Sequence, residues 1–362
     1  MIRKIDAVSG SRDSLTKIDR AIARLRKVLD VEIEAESLQD HARALLVKYT
    51  SKRQATLQQY RRIILRLRIL SKRTDSTAVV ALAYYRSVLW LASIQNEADK
   101  ILKIGAEAIQ FLNDNPQAES AVYRVEFEGS RLSAMIAKRD YHGAESVWND
   151  IRSKLTEGAA NWCSLLQIYF LVCMITGNYD AARDALWEYE SKRKKGEPEW
   201  RKNLWAIYRA YILFLIDQQV IEPGQYVKAS RVYMTSLEKQ TQKSKDGKAI
   251  AGSAVYILRI LQWLKARRYS DVIAEVERMR QYAHRHLNGQ QTIRTSAFIR
   301  MLATIPTADF NPTDSAVRGA IVWDRYCGDK MDVRDSAEII PYEFLWELTV
   351  KILDSSDNKR RR

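Results

Sequence analysis

Apolar residues that recur at alternating spacings of three and four, in a chain with few residues able to interrupt a helix, constrain this fold more than any other feature. Leu15, Ile18, Ile22, Leu25 and Leu29 keep that spacing for two heptads, and Leu57, Tyr60, Ile64 and Leu67 repeat it. Only 13 glycines and 6 prolines occur in 362 residues, and Ala, Leu, Ile, Arg, Lys and Glu, which lose little on entering a helix, dominate. A β-rich chain needs more turn-forming residues. The expected class is therefore all-α, with enough apolar residues, 46%, to bury a substantial core.

Residues 1–75 are expected to form a helical hairpin. A break is expected at Ser37, which with Asp40 resembles a capping box opening a second helix. The two apolar stripes then cover one another and the basic residues face outward. Residues 1–73 hold 18 Lys and Arg against 8 Asp and Glu, a net of +10 out of +15 for the whole chain. From Arg43 to Arg73 no acidic residue occurs. Lys52, Arg53, Arg61, Arg62, Arg66, Arg68, Lys72 and Arg73 make a candidate polyanion-binding stripe, able to contact phosphates without reading bases.

From residue 76 to 304 helices of fifteen to twenty residues alternate with short connectors, and prolines after Asn115, Glu197, Glu222, Ile305, Asn311 and Ile340 mark boundaries. One turn recurs: Arg139-Asp140-Tyr141 with Ala144, Gly177-Asn178-Tyr179 with Ala182, and Arg267-Arg268-Tyr269 with Val272. Gln95-Asn96-Glu97-Ala98 reads as an earlier unit, and a degenerate one surrounds Glu222-Pro223. The tyrosine covers the mouth of a helix pair, the small residue admits the second helix, and Gly177 ends the first.

This turn resembles that of the tetratricopeptide-like helical repeat superfamily, best over residues 165–190. The family's small residue partway along the first helix is replaced here by Leu132, Phe170 and Ile260, so helix crossings are expected to differ. The resemblance implies antiparallel helix pairs stacked as an α-solenoid, with a protein or peptide partner held in a groove and no chemistry. Residues 305–354 are expected to form capping helices, and 355–362 a basic disordered tail.

No constellation for catalysis, cofactor or metal is recognised. His41, His142, His284 and His286 lack ligand spacing, and no glycine-rich phosphate loop or Gly-x-Ser-x-Gly elbow occurs. Cys163 and Cys173, ten residues apart in one helix, cannot pair. The start, Met1-Ile2-Arg3-Lys4-Ile5-Asp6, has no apolar stretch, so a reducing, cytoplasmic setting is expected. The uncharged run from Gly158 to Tyr179 is too short in its apolar part to span a bilayer. Among the aromatics from Trp200 to Phe214 most are expected in the core, with Trp200 and Trp205 open to a partner.

A non-catalytic interaction scaffold is the leading expectation for function. The alternative is a regulatory or nucleic-acid-associated protein using the basic hairpin.

Overall fold

The computed structural model describes residues 2–48, 53–118, 120–224, 248–287, 293–326 and 337–358, and no strand occurs among them. The helices are α1 (Ile2–Lys48), α2 (Arg53–Ser71), α3 (Ala78–Ile94), α4 (Ala98–Asp114), α5 (Ala121–Lys138), α6 (Tyr141–Arg152), α7 (Ala160–Ile175), α8 (Tyr179–Lys192) and α9 (Glu199–Asp217). After residues 225–247 follow α10 (Lys248–Lys265), α11 (Tyr269–His286), α12 (Ile293–Leu302), the single turn α13 (Thr304–Thr307), α14 (Pro312–Tyr326) and α15 (Tyr342–Asn358). Pro198, Pro312 and Pro341 lie at helix starts, where a missing N–H costs nothing. The disordered tail expected at 355–362 is corrected over its first four residues, since α15 runs to Asn358; residues 359–362 and Cys327 lie outside the described residues. No described helix is long and apolar enough to cross a membrane.

The chain divides into two compact units, Met1–Arg131 and Leu132–Arg362, the division falling inside α5. In the first unit α1 and α2 pair through the part of α1 from Val31 on, and the hairpin does not stand apart. Val31, Ala35, Ala42 and Leu45 of α1, Tyr60, Ile63, Leu67 and Leu70 of α2, and Val80, Ala83 and Leu91 of α3 share one core. Leu57 and Ile64 pack at its edge.

Two expectations about α1 are corrected. It runs unbroken through Ser37, which is exposed on the outer face, where a serine disturbs a helix little. Its stripe Leu15 to Leu29 does not cover α2, whose apolar face is taken by residues beyond Val31.

The recurring turn is a backbone motif. Six residues take left-handed φ values at first-helix ends: Asn96 (55°), Arg139 (52°), Gly177 (78°), Gln219 (57°), Arg267 (56°) and Asp309 (53°). At each, the N–H of that residue donates to the carbonyl three back, as in Arg139 to Ile136 (3.1 Å), Gly177 to Met174 (3.4 Å) and Gln219 to Ile216 (3.0 Å). The next N–H donates five back, as in Asp140 to Met135 (3.0 Å), Asn178 to Cys173 (2.9 Å), Val220 to Leu215 (2.9 Å) and Arg268 to Trp263 (2.9 Å). These paired bonds are the Schellman closure of a helix C-terminus. Glu97 to Ala92 and Phe310 to Ile305 complete the set.

The six turns therefore recur at sequence intervals of 43, 38, 42, 48 and 42 residues. Ala144, Ala182 and Val272, fully buried, begin the second helix of their pairs, and Ile101 holds the same place after Asn96. Seven residues before each turn stands a bulky buried side chain, Leu89, Leu132, Phe170, Ile212, Ile260 or Leu302. Phe170 stacks on Tyr208 at 4.6 Å between ring centres, so it fills the space between α7 and α9.

Within the second unit successive pairs meet at matching heights. Lys265 pairs with Asp217 at 2.6 Å, the Tyr211 hydroxyl donates to the Ala254 carbonyl at 3.1 Å, and Tyr269 packs on Phe310 at 4.2 Å. The last helix is held by a buried cation: Arg294 of α12 makes two bonds of 2.6 Å to Glu338 and reaches Glu343 at 2.8 Å. Gly319 of α14 lies against Trp346 of α15, where a Cβ would meet ring carbon Cζ2 at 2.2 Å.

Because the turn is made by backbone bonds, the exposed Arg139 and Arg267 are there at a conformational cost that glycine avoids. Arg139→Gly and Arg267→Gly should each raise stability by about 0.5–1 kcal/mol, and Gly177→Ala should lower it by about 1 kcal/mol, read from urea unfolding midpoints.

Candidate interaction surface

Among the described residues, six exposed large hydrophobic side chains follow one another along α1 from Leu15 to Ile33. At 1.5 Å per residue this 47-residue helix is about 70 Å long, and its tertiary core begins only at Val31. Residues 15–27 are exposed all round the helix. Leu15, Ile18, Ile22, Leu25 and Leu29 are exposed by 58, 54, 43, 68 and 54%, and Ile33, on the same side, by 55%.

Helix phase explains why nothing in the first unit covers them. At 100° per residue the direction of Leu15 to Leu29 lies about 160° from that of Val31, Ala35, Leu38, Ala42 and Leu45. The stripe thus points away from α2 and α3. An apolar seam of this kind, with charged residues on the rest of the helix, is what a second helix packs against.

The basic stripe on α2 is partly neutralised. Arg66 Nε donates to Glu34 Oε1 at 2.5 Å and its Nη2 to Oε2 at 3.0 Å, and this bidentate bond holds the Glu34 carboxyl below its ordinary pKa. Arg73 grips Asp75 with two bonds of 2.8 Å and lowers its pKa likewise. Arg61, Arg62, Arg68 and Lys72 are exposed and have no acidic partner among the described residues; between them lie Leu65 and Ile69, exposed by 58 and 51%. Lys52 and the side chain of Arg53 lie outside the described residues.

Trp200 and Trp205 separate. Trp200 is exposed by 48%, with the Arg201 guanidinium 5.0 Å from its ring centre. Trp205, in contrast, is 2% exposed, stacked on Tyr189 at 4.1 Å and edge-on to Phe170 at 5.5 Å, so the expectation that it meets a partner is corrected. Five residues turn a helix by about 140°, which is enough to send one of the two inward. Tyr208, Tyr211 and Phe214 are buried, as the core reading requires.

The repeat-turn residues Tyr141, Ala144, Gly177, Tyr179, Ala182 and Tyr269 all sit at helix-pair turns. The Tyr141 hydroxyl donates to Glu145 at 2.6 Å, while Tyr179 is buried and stacks on Phe344. They build the hairpins and present no reactive group.

Burial, with Glu197 nearby, pushes the Cys163 thiol up to about 11, and burial pushes Cys173 up to about 12. Neither is a thiolate near neutral pH. No group of three His, Cys, Asp or Glu able to hold a metal ion occurs among the described residues. A cleft of about 550 Å³ between α11 and α12 is lined by Glu277, Arg280, His284, Arg285 and Arg300, with Arg280 paired to Glu277 at 3.4 Å.

No protein-family model, no curated protein and no solved structure matches this chain.

The two tryptophans should respond differently to truncation. Trp205→Ala should cost about 3–5 kcal/mol in urea unfolding, and Trp200→Ala less than about 0.5 kcal/mol.

Proposed function

We propose that this protein is a non-catalytic interaction scaffold. Its helix pairs stack as a tetratricopeptide-like array, and the N-terminal half of α1 is an arm that docks a partner helix. The observation that carries this reading is the exposed seam Leu15, Ile18, Ile22, Leu25 and Leu29, which no other described residue of the first unit covers. The array is supported by the six backbone-closed turns and by the side-chain contacts between successive pairs in the second unit. Such arrays offer extended concave surfaces, and Trp200, exposed at the start of α9, is available to a bound peptide.

Capture of the intact protein from its native cell, with and without nuclease, tests this reading. Partners should survive nuclease, and Ile22→Asp with Leu25→Asp should release those held by the arm while leaving the near-ultraviolet circular dichroism, which reports the packed aromatic residues, unchanged. Loss of every partner to nuclease alone would overturn it.

A second reading, association with nucleic acid, is favoured by Arg61, Arg62, Arg68 and Lys72, which face outward without acidic partners among the described residues. Four phosphate contacts predict a slope of about −3 to −4 in log affinity against log salt. Replacing the four with glutamine should flatten that slope by about 3; an unchanged slope would remove α2 from any such role.

A further inference from the structure

We propose that the occupant of the α1 arm is a second copy of this chain, paired antiparallel over residues 18–29. The inference rests on the reading of the arm as a helix-docking surface and names its partner.

The seam has the heptad form of a coiled coil, with Leu15, Ile22 and Leu29 at one core position and Ile18 and Leu25 at the other. All five are exposed, and they face away from α2 and α3, so a second helix reaches them without disturbing the core that begins at Val31. Flanking the seam are Asp19 and Arg26 on one side and Ala21 and Val28 on the other. These four residues choose the partner.

Two copies of the segment laid antiparallel about a point between Ala23 and Arg24 set Ile22 against Leu25 of the second copy, and Ile18 against Leu29, each twice. Asp19 then faces Arg26 of the second copy on both edges, and Ala21 faces Val28. Every flanking pair is opposite in charge or apolar.

Neighbouring registers fail. A shift of one heptad in one direction opposes Asp19 to Asp19, and in the other direction it opposes Arg26 to Arg26. A parallel pair in register places Arg26 beside Ala21, with no attraction between charges. Among these arrangements only the antiparallel register about Ala23 and Arg24 is charge-complementary, and it is so with itself. That is the condition for an isologous two-fold contact. The remaining cations of the segment, Arg20, Arg24 and Lys27, fall outside the seam and keep the pair in water.

The test uses the full-length chain in sedimentation equilibrium. The wild type should sediment as a dimer of the 41.9 kDa chain. Leu25→Glu should be monomeric with an unchanged near-ultraviolet circular dichroism spectrum, because Leu25 is 68% exposed within its own chain and the core begins only at Val31. Asp19→Arg, which opposes arginines on both edges, should weaken association about tenfold, and adding Arg26→Asp should restore it to within about threefold. A wild type that is monomeric up to about 100 µM, a dimer that survives Leu25→Glu, or a double exchange that does not restore association overturns the proposal. If the wild type is monomeric but Ile22→Asp with Leu25→Asp still releases captured partners, self-pairing fails and the docking role of the arm stands. If that variant releases nothing either, both fail.

Discussion

The closure of each first helix by two backbone hydrogen bonds around one left-handed residue is the constraint on which the repeated part of the chain depends. The last carbonyls of a helix need donors, and here the following two N–H groups supply them while reversing the chain. Since no side chain takes part, the pivot is free to be Asn, Arg, Gly, Gln, Arg or Asp. What the sequence must supply lies on either side: a bulky residue seven positions before the pivot, and an apolar residue of suitable size where the second helix begins. Phe170 shows the consequence, since its ring takes the room that a small residue would leave for closer approach and stacks on Tyr208 instead.

In α1 the governing constraint is helical phase. Apolar residues step by three or four up to Leu29 and again from Val31, but the step between these two is two residues. A slip of that size rotates the apolar face to nearly the opposite side of the helix, and one neighbour cannot cover both faces. The C-terminal half is taken by α2 and α3. The N-terminal half is left with its seam exposed, so one helix carries two apolar faces of which α2 and α3 cover one.

Helix content and four of the six turns, those at Asn96, Arg139, Gly177 and Arg267, were legible because each has a local cause. Tyr141, Tyr179 and Tyr269 stand two residues after the pivot and mark it. The turn at Gln219 has Ile221 in that place, and at Asp309 the extra left-handed residue Phe310 displaces the pattern by one, so the side-chain signature fades where the backbone motif persists. The break read at Ser37 failed because a capping residue on an outer face does not stop a helix whose buried side continues through Ala35, Leu38 and Ala42. Charge neutralisation was illegible for a different reason: Glu34 and Arg66 are 32 residues apart and meet only once the hairpin has formed. Trp200 and Trp205 differ by helical phase relative to neighbours that composition does not specify.

The stability of the arm and its exposure are coupled. Residues 2–30 form a long helical segment whose described side chains gain almost nothing from tertiary packing, and helices without packing are marginal in water even at favourable composition. Intrahelical ion pairs add little: Arg26 and Asp30 are four apart but in the less favourable order, while Arg20 and Arg24 repel. Burying Leu or Ile fully is worth about 1.5–3 kcal/mol per side chain, so covering five partly exposed ones exceeds any of these local terms. Whatever covers the seam therefore also supplies most of the free energy that keeps the segment helical. Docking on the proposed arm would therefore be one equilibrium with its ordering, with the core beyond Val31 as the anchor from which the helix is already nucleated.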